Sequence, residues 1–577
     1  MAKNNFVILC VIFVVSLFIF TRFLDHHGLE YRDDEIFYFQ STQEMLQNHD
    51  YLSPTYFGEN RFQKPILFYW LILLSYKIFG NTWFAARLIA AIFAALTVCC
   101  TWVLAKELFN NKRLAYLSAV ILVSFPLFFR HAKNAVPDMV LNFFIVASIF
   151  YGYKLLTQKE GKATSVNFFI LCALGFMIKG FAAIIVPFAV LIIFAWVSGK
   201  KGELQRINLL PGIGIFLVIV LPWFLYMVYR HGHSFTDFVL IGETKNRLLS
   251  ANRGFSFKGI GTFIQHLMFY LRVILSYFAP WSAFLAIGLP FIISDIKRQR
   301  PEKDALQLLL IWVAVVYIFF SGMNFLINHY MLVLSTPLAI LVGYFFLRHR
   351  RENGLAVDII YGVRKYLAVF LFSAGCLAYM FLVVFLLQGS WMLLLILLPL
   401  TIWLARMMVK SRNPITVGLV LSGFIVFTYA QSALLNKAGI TSHAVLEKFA
   451  QTIETDRNQY VVGVGSHDIH EKEFQVYFKE PVIKAATSLD HETNGLLMKL
   501  FSRPQDVFCL MTQKDLDELM RRNPNPPSLE IVQRDLMFRR RLNLDQGFLS
   551  ALVRFDQKTI QHYLKEEVVL VKKRKSS

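Results

Sequence analysis

Three consecutive carboxylates, Asp33, Asp34 and Glu35, follow directly on the first apolar segment of the chain, and Gln63-Lys64-Pro65 then sets a cation just before a second apolar run, Ile66 to Phe79. Ionised groups held at the edge of a bilayer are costly unless they act on something, so this polar loop is where chemistry is sought first. The plain alternative is a helix N-terminus that favours negative charge. Other charged positions also border apolar runs. Asp138, after Pro137, reads equally as a helix cap and as a site carboxylate. Lys179, before Gly180, is a site cation or a lysine that snorkels to water. Glu243 and Arg247 form an ordinary ion pair four residues apart on a helix, or, with the guanidinium turned outward, a contact for phosphate. Ser234-Phe-Thr-Asp237 has the form of a capping box that opens this helix. The cluster His467, His470 and Glu471 reads as polar surface rather than a metal site.

Composition sets the class. With 577 residues, 56% of them hydrophobic, and 56 phenylalanines, the chain is too apolar to be soluble and must use lipid as solvent over most of its length. A net charge of +21 would suit nucleic acid, but the Lys and Arg residues gather in short loops between apolar segments, as membrane orientation requires. No nucleic-acid partner is expected. Five of the six cysteines lie in apolar segments, which leaves Cys509 alone in the polar tail; neither a disulfide nor a cysteine metal site is expected.

The elements that must position these groups are membrane helices. Spans are expected near 6–20, 82–105, 114–130, 138–156, 164–178, 181–198, 207–229, 263–295, 305–321, 330–347, 366–387, 390–407 and 415–434, thirteen in all. The run Ile66 to Phe79 is shorter than the ~20 residues a crossing needs and reads as interfacial. Basic clusters such as Lys106/Lys112/Arg113, Lys200/Lys201/Arg206 and Arg348/Arg350/Arg351 fall on alternate loops, which makes those loops and the N-terminus cytoplasmic. The same parity turns Val166 to Trp196 into a hairpin with Lys179-Gly180 at its outward tip. The outer face then gathers the loops 25–81 and 230–262, His131 to Asp138, Lys179 and Asn328-His329-Tyr330. From about residue 436 the pattern becomes that of a soluble α/β domain: a helix through Val445, Leu446, Phe449 and Ile453, strand-like QYVVGVG, FQVYF, DVFCLM and EEVVLV, and a helical TQKDLDELMRR. Domains are thus expected at 1–435 in the membrane and 436–577 outside the cytoplasm.

The run Asp34-Glu35, Glu44-Met45-Leu46, Asp50, Phe62-Gln63-Lys64-Pro65, Tyr69-Trp70 and Phe79-Gly80 resembles the first outer loop of the bacterial lipid A aminoarabinose transferases and of the polyprenyl-phosphate-dependent protein mannosyltransferases. These are membrane glycosyltransferases of the GT-C fold. The resemblance continues through Val136-Pro137-Asp138, Met177-Ile178-Lys179-Gly180, Leu221-Pro222-Trp223, Glu243, Arg247, Pro280-Trp281 and Tyr330-Met331-Leu332, covering about residues 1–345.

The resemblance implies an all-α polytopic membrane domain of about thirteen transmembrane helices, with juxtamembrane helices on the outer face and a small C-terminal α/β domain, in the bacterial inner membrane. It implies a sugar donor carried on undecaprenyl or another polyprenyl phosphate. The implied acceptor is lipid A or another lipopolysaccharide component, with a protein acceptor as the alternative. Asp34 and Asp138 become the candidate catalytic carboxylates, Asp33, Glu35 and Glu243 their support, and Lys64, Arg247, Lys179 and Tyr330 the contacts for the donor phosphate. Cations would stabilise the departing lipid phosphate, a carboxylate would serve the acceptor, and attack opposite the phosphate would invert the anomeric centre. Aminoarabinose transferases carry Glu before Lys-Pro and His after the outer-loop Glu. This chain has Gln63 and Thr244 there, so no metal and no cofactor is expected. A lipid-linked sugar translocator would need ionisable groups near the bilayer midplane and repeat-related halves, which the sequence does not show. A non-catalytic glycolipid-binding protein is the remaining alternative.

Overall fold

The computed structural model describes residues 2–25, 34–158, 161–239, 259–323, 326–348, 355–381, 393–411, 413–437, 442–453, 460–463, 491–502, 507–523, 528–538 and 565–573, with a few single residues before the last stretch. The chain divides into two units, one of residues 1–25, 38–376 and 399–430, the other of 26–37, 377–398 and 431–577.

The first unit is built from helices: α1 (Ala2–Thr21), α2 (Asp34–Gln47, its first turn assigned to the second unit), α3 (Leu67–Phe79), α4 (Trp83–Phe109), α5 (Lys112–Val123), α6 (Pro126–His131), α7 (Asp138–Thr157), α8 (Lys162–Lys179), α9 (Ala182–Val197), α10 (Leu209–His231), α11 (His233–Asp237), α12 (Gly259–Tyr277), α13 (Trp281–Lys297), α14 (Lys303–Ser321) and α15 (Ser335–Arg348). Helices α16 (Leu355–Phe381), α17 (Leu393–Lys410) and α18 (Pro414–Lys437) follow. Among the described residues, eight helices are long and apolar enough to cross a membrane, or nine with one bent pair counted as a span. The chain is a mostly helical, multi-span membrane protein with a small mixed sheet near its C-terminus. Helix α3 has 13 residues, a length of about 20 Å against the ~30 Å of bilayer hydrocarbon.

Two expected spans are broken, and proline explains both. The run 114–130 divides into α5 and α6 because Pro126 has no N–H to give and holds Phe125 in an extended conformation. The run 263–295, read as one span, is two helices, α12 and α13, that meet at 113° just before Trp281, around Pro280. The breaks are tied together: the Trp281 indole donates to Ser124 Oγ at 2.9 Å, and Ser124 Oγ reaches Ser422 Oγ at 3.3 Å. Helices α7, α8 and α9 each pack against the other two. A Cβ on Gly175 of α8 would lie 2.8 Å from the Ala183 Cβ and 3.1 Å from the Phe144 Cβ, so only glycine permits this approach.

The second unit holds a four-stranded sheet in the order β3-β4-β6-β5, after the short hairpin β1 (Thr55–Tyr56) and β2 (Glu59–Asn60) of the first unit. Strands β3 (Tyr460–Gly463) and β4 (Val507–Thr512) are parallel; β6 (Lys565–Lys573) runs antiparallel to β4 and to β5 (Leu529–Phe538). Helix α19 (Ser442–Thr452) packs Val445, Leu446 and Phe449 on Phe508, Leu510, Val568 and Leu570. The alternate residues Cys509, Met511, Val569 and Val571 face Leu497, Leu500, Leu516 and Leu519 of α20 (His491–Phe501) and α21 (Gln513–Arg522). Both faces of β4 and β6 are covered, which is why VFCLM and VVLV are unbroken apolar runs. Thr512 caps α21 by accepting from Asp515 N at 3.1 Å. Burial and the nearby Asp515 push the Cys509 thiol well above its ordinary range, and all six cysteines are unpaired. Strand β5 was not among the expected strands, since its charged residues interrupt the apolar alternation on an edge. FQVYF and the His467, His470, Glu471 cluster lie outside the described residues.

Candidate active site

Between α2 and α3 the chain makes a tight, heavily bonded loop. The hairpin β1–β2 turns through Phe57 and Gly58, with φ of 51° and 78°, the pair of positive values that a two-residue turn of matching twist requires. The buried Glu44 of α2 fastens it. Its carboxylate accepts from Thr55 Oγ1 at 2.6 Å, Phe57 N at 2.7 Å, Gly58 N at 3.2 Å and Gln40 Nε2 at 3.0 Å. Arg61 donates to the Tyr69 hydroxyl at 2.9 Å and lies over the Tyr38 ring. Burial pulls its pKa down, but Tyr69 and Tyr38 more than offset this and hold it above its ordinary value. The loop is also pinned to α10 and α3. Trp223 Nε1 donates to Leu52 O at 2.9 Å, Trp70 Nε1 to Tyr51 O at 2.7 Å, His231 Nε2 pairs with Ser53 Oγ at 2.7 Å, and Arg230 pairs with Asp50 at 2.7 Å. These bonds deliver Gln63, Lys64 and Pro65 to one place.

Glu44→Ala removes the acceptor that serves four donors. With a bond to a charged group worth about 1.5–3 kcal/mol, the hairpin is expected to loosen and limited proteolysis between residues 48 and 62 to quicken at least tenfold. An unchanged cleavage rate would mean that other contacts hold the loop.

The place is the wall of a cavity of about 400 Å³. Asp138 is the first residue of α7 and Lys179 the last of α8, so the packing of these antiparallel helices brings them together, with Lys179 Nζ 2.6 Å from Asp138 Oδ1. The 3-10 segment Asn328–Leu334 ahead of α15 adds His329, whose Nε2 is 3.3 Å from the same oxygen, and Tyr330, whose ring lies 5.7 Å from Lys179 Nζ and stacks on Phe320 at 4.6 Å. Asp138 and His329 are buried. Helix α7 has Pro137 at its N-cap with no side-chain capping bond, so the capping role open to Asp138 in the sequence is not the one it takes. Lys64 lines the same cavity and donates to Gln63 O at 2.9 Å. The remaining wall is apolar, with Phe176, Phe181, Ile185, Phe224, Phe319 and Leu332 among its side chains. The geometry is that of a greasy cleft with two lysines in its wall. It can hold an anion on a hydrocarbon chain, because the lysines meet the charge while the aromatic wall excludes water.

Of the residues singled out in the sequence, Lys64, Asp138, Lys179 and Tyr330 meet here. Asp34 opens α2 with an exposed side chain, and Glu35 beside it is fully buried. Asp33, Glu243, Arg247 and Thr244 lie outside the described residues. The capping box at Ser234 does not form: α11 starts at His233, its N-cap Gly232 makes no side-chain bond, and Ser234 Oγ donates back to His231 O at 2.6 Å. His329 and Gln63 were not chosen as site residues. The sign for His329 was its neighbour Tyr330; nothing local marked it as the partner of an aspartate far back in the chain.

Residues 63–226 match the family model of dolichyl-phosphate-mannose-protein mannosyltransferases. The chain is 29% identical over 327 residues to undecaprenyl phosphate-alpha-4-amino-4-deoxy-L-arabinose arabinosyl transferase 2 of Pseudomonas fluorescens, covering 56% of this chain and 53% of that one. It is 27% identical over 429 residues to transferase 1 of the same species, covering 71% and 73%. Against several curated relatives the match spans little more than half of their length. In fold the chain is similar to ArnT from Cupriavidus metallidurans, solved bound to undecaprenyl phosphate, with a TM-score of 0.67 at 18% identity over 99% of this chain and 98% of that one. The chain thus shares the fold of ArnT, and in sequence it resembles the lipid-phosphate-dependent sugar transferases that its motifs imply.

Proposed function

We propose that this protein is a membrane glycosyltransferase that moves a sugar from undecaprenyl phosphate, or a similar polyprenyl phosphate, to lipid A or another lipopolysaccharide component outside the cytoplasm. The observation that carries this reading is the cavity itself: an apolar cleft lined by Lys64 and by the Asp138-held Lys179. The likeness to the arabinosyl transferases supports the donor class. In the proposed step an acceptor oxygen bonds to the anomeric carbon as the bond from that carbon to the phosphate oxygen breaks. The electron pair leaves on the lipid phosphate, where Lys64, Lys179 and, from the outer loop, Arg247 stabilise it, with Tyr330 beside them. Asp34 positions the acceptor and takes its proton where there is one, with Asp33, Glu35 and Glu243 in support. Attack from the face opposite the phosphate inverts the centre. Asp138 acts through Lys179.

The match to the mannosyltransferase family keeps a protein acceptor as the second reading. Purified protein given undecaprenyl-phosphate sugars together with lipid A is expected to yield lipid A heavier by one glycosyl residue. A glycosylated polypeptide instead would favour the second reading. Binding of donor without any transfer would leave a translocator or a glycolipid-binding protein.

The proposed topology is thirteen spans in the bacterial inner membrane with a cytoplasmic N-terminus, which places the domain 436–577 in the periplasm. Alkaline phosphatase fused after Ser577 is expected to be active. Activity of a cytoplasmic reporter there would make α3 a span after all.

A further inference from the structure

His329 has no part in the step described above, yet among the described residues that line the cavity it is the one imidazole. A carboxylate only accepts, so the nitrogen 3.3 Å from Asp138 Oδ1, Nε2, carries a hydrogen whether the ring is neutral or charged, and the proton that comes and goes is the one on Nδ1. Lys179 Nζ lies 2.6 Å from that same oxygen. One carboxylate atom thus meets two donors. With the ring neutral, the ammonium of Lys179 alone matches the charge of Asp138. With the ring protonated, the two cations share that carboxylate and the trio carries one more positive charge, in a cleft whose apolar wall limits screening. The other charges around the cleft stand in both states, so they cancel from the difference.

The groups that face His329 fit this assignment. Besides Asp138 of α7 and Lys179 of α8, α6 brings His131, with ring centroids 5.8 Å apart, and α12 brings Tyr270 and Tyr277, whose hydroxyls bond to Ile327 N and Asn328 Nδ2 just ahead of it. Tyr330 follows it in the chain, and Lys64 lines the same cavity. Carboxylates, phenols and ammonium groups ordinarily titrate outside the interval from about pH 5.5 to about pH 8.5, and imidazole, near ~6.5, inside it. The second imidazole, His131, gives its Nδ1 hydrogen to Leu127 O at 2.8 Å within α6 and is not among the cavity's lining residues.

Resting on the transferase reading above, we propose that His329 is a further positioning residue of the phosphate site, acting through Asp138: when its ring is protonated the carboxylate is shared, the charge of Lys179 turns to the lipid phosphate, and the phosphate is bound together with a proton. By linkage, phosphate and proton raise each other's affinity equally.

The test is the affinity of purified full-length protein for undecaprenyl methyl phosphate, a phosphodiester whose single charge does not titrate in this interval. Wild-type protein is expected to bind at least about tenfold more tightly at about pH 5.5 than at about pH 8.5, since one unit charge is added beside the anion. His329→Gln keeps an N–H for Asp138 but takes no proton, so its Kd should stay within about twofold across the interval, close to the weaker, high-pH value of wild type. His329→Asn serves as the second variant should His329→Gln fail to fold. His131→Gln should keep the wild-type slope. A flat wild-type profile overturns the inference without any variant. So does a slope that persists in the His329 variants, or one that is lost in His131→Gln instead. In each of those cases the phosphate is still bound and the transferase reading stands. Absence of binding by wild-type protein at every pH would defeat the reading of the cleft as a phosphate site, and this inference with it.

Discussion

Asp138→Asn is expected to lower kcat/KM for transfer by about 10²–10³. The carboxylate holds Lys179 at 2.6 Å with both side chains largely buried, and removing one partner of such a pair leaves an uncompensated charge at a cost of about 3–5 kcal/mol. Lys179→Ala should have a loss of similar size, because it takes away the cation that Asp138 exists to place. The informative experiment is the double variant. If Asp138 acts through Lys179, Asp138→Asn combined with Lys179→Ala is no worse than the more damaging single change, since the two residues act as one unit. If Asp138 were an independent base, the two losses would multiply. Rescue distinguishes geometry from charge further. Asp138→Glu keeps the ion pair within reach and should recover part of the rate in the wild-type background but none of it beside Lys179→Ala, whereas a purely structural role in the start of α7 would give the same recovery in both.

How far this site could be read from the chain depends on how local each signal is. Hydrophobic runs bounded by basic clusters located most of the helices, because lipid demands long apolar segments and cytoplasmic loops demand cations. The hairpin apex at Lys179-Gly180 followed from that parity alone, and α8 and α9 meet there. Two breaks escaped a reading of hydropathy. Pro126 and Pro280 interrupt apolar runs without changing their composition, so the runs 114–130 and 263–295 read as single spans although the backbone turns within them. Pairing was less legible than placement. Asp138, Lys179 and His329 come from α7, α8 and the segment before α15, and only packing makes them neighbours. The sequence predicts that Asp138 and Lys179 both face outward; it does not show that the two form an ion pair, the geometry on which the proposed positioning role of Asp138 rests. Glu44 is the opposite case. It was legible as part of a family resemblance, yet the reason for a carboxylate there, four donors around a turn with two positive φ values, appears only in three dimensions.

Asp34→Asn is the second large effect expected. Asp34 opens α2 with its side chain exposed, and it is the proposed acceptor-side carboxylate. Asparagine keeps the size and the hydrogen-bonding reach and removes the charge, so the protein should still insert and bind donor. Turnover at saturating substrate should fall by about 10²–10⁴, the range for loss of a general base or of a comparable electrostatic contact. KM for the donor should stay within about threefold, in contrast with the lysine variants, whose partner phosphate is charged before and after transfer. A loss of less than tenfold would remove Asp34 from the reaction and return Asp138 to the position of candidate base.

The most direct measurement is the binding of undecaprenyl phosphate, with no sugar attached, to purified wild-type protein and to the Lys64→Ala, Lys179→Ala double variant. Two charge-assisted contacts, each worth about 1.5–3 kcal/mol, make the expected weakening at least a hundredfold in Kd, and it should shrink when the ligand is the uncharged polyprenol. Equal affinity of wild-type and double variant for undecaprenyl phosphate, with both proteins folded, would contradict the assignment of this cavity to the lipid phosphate.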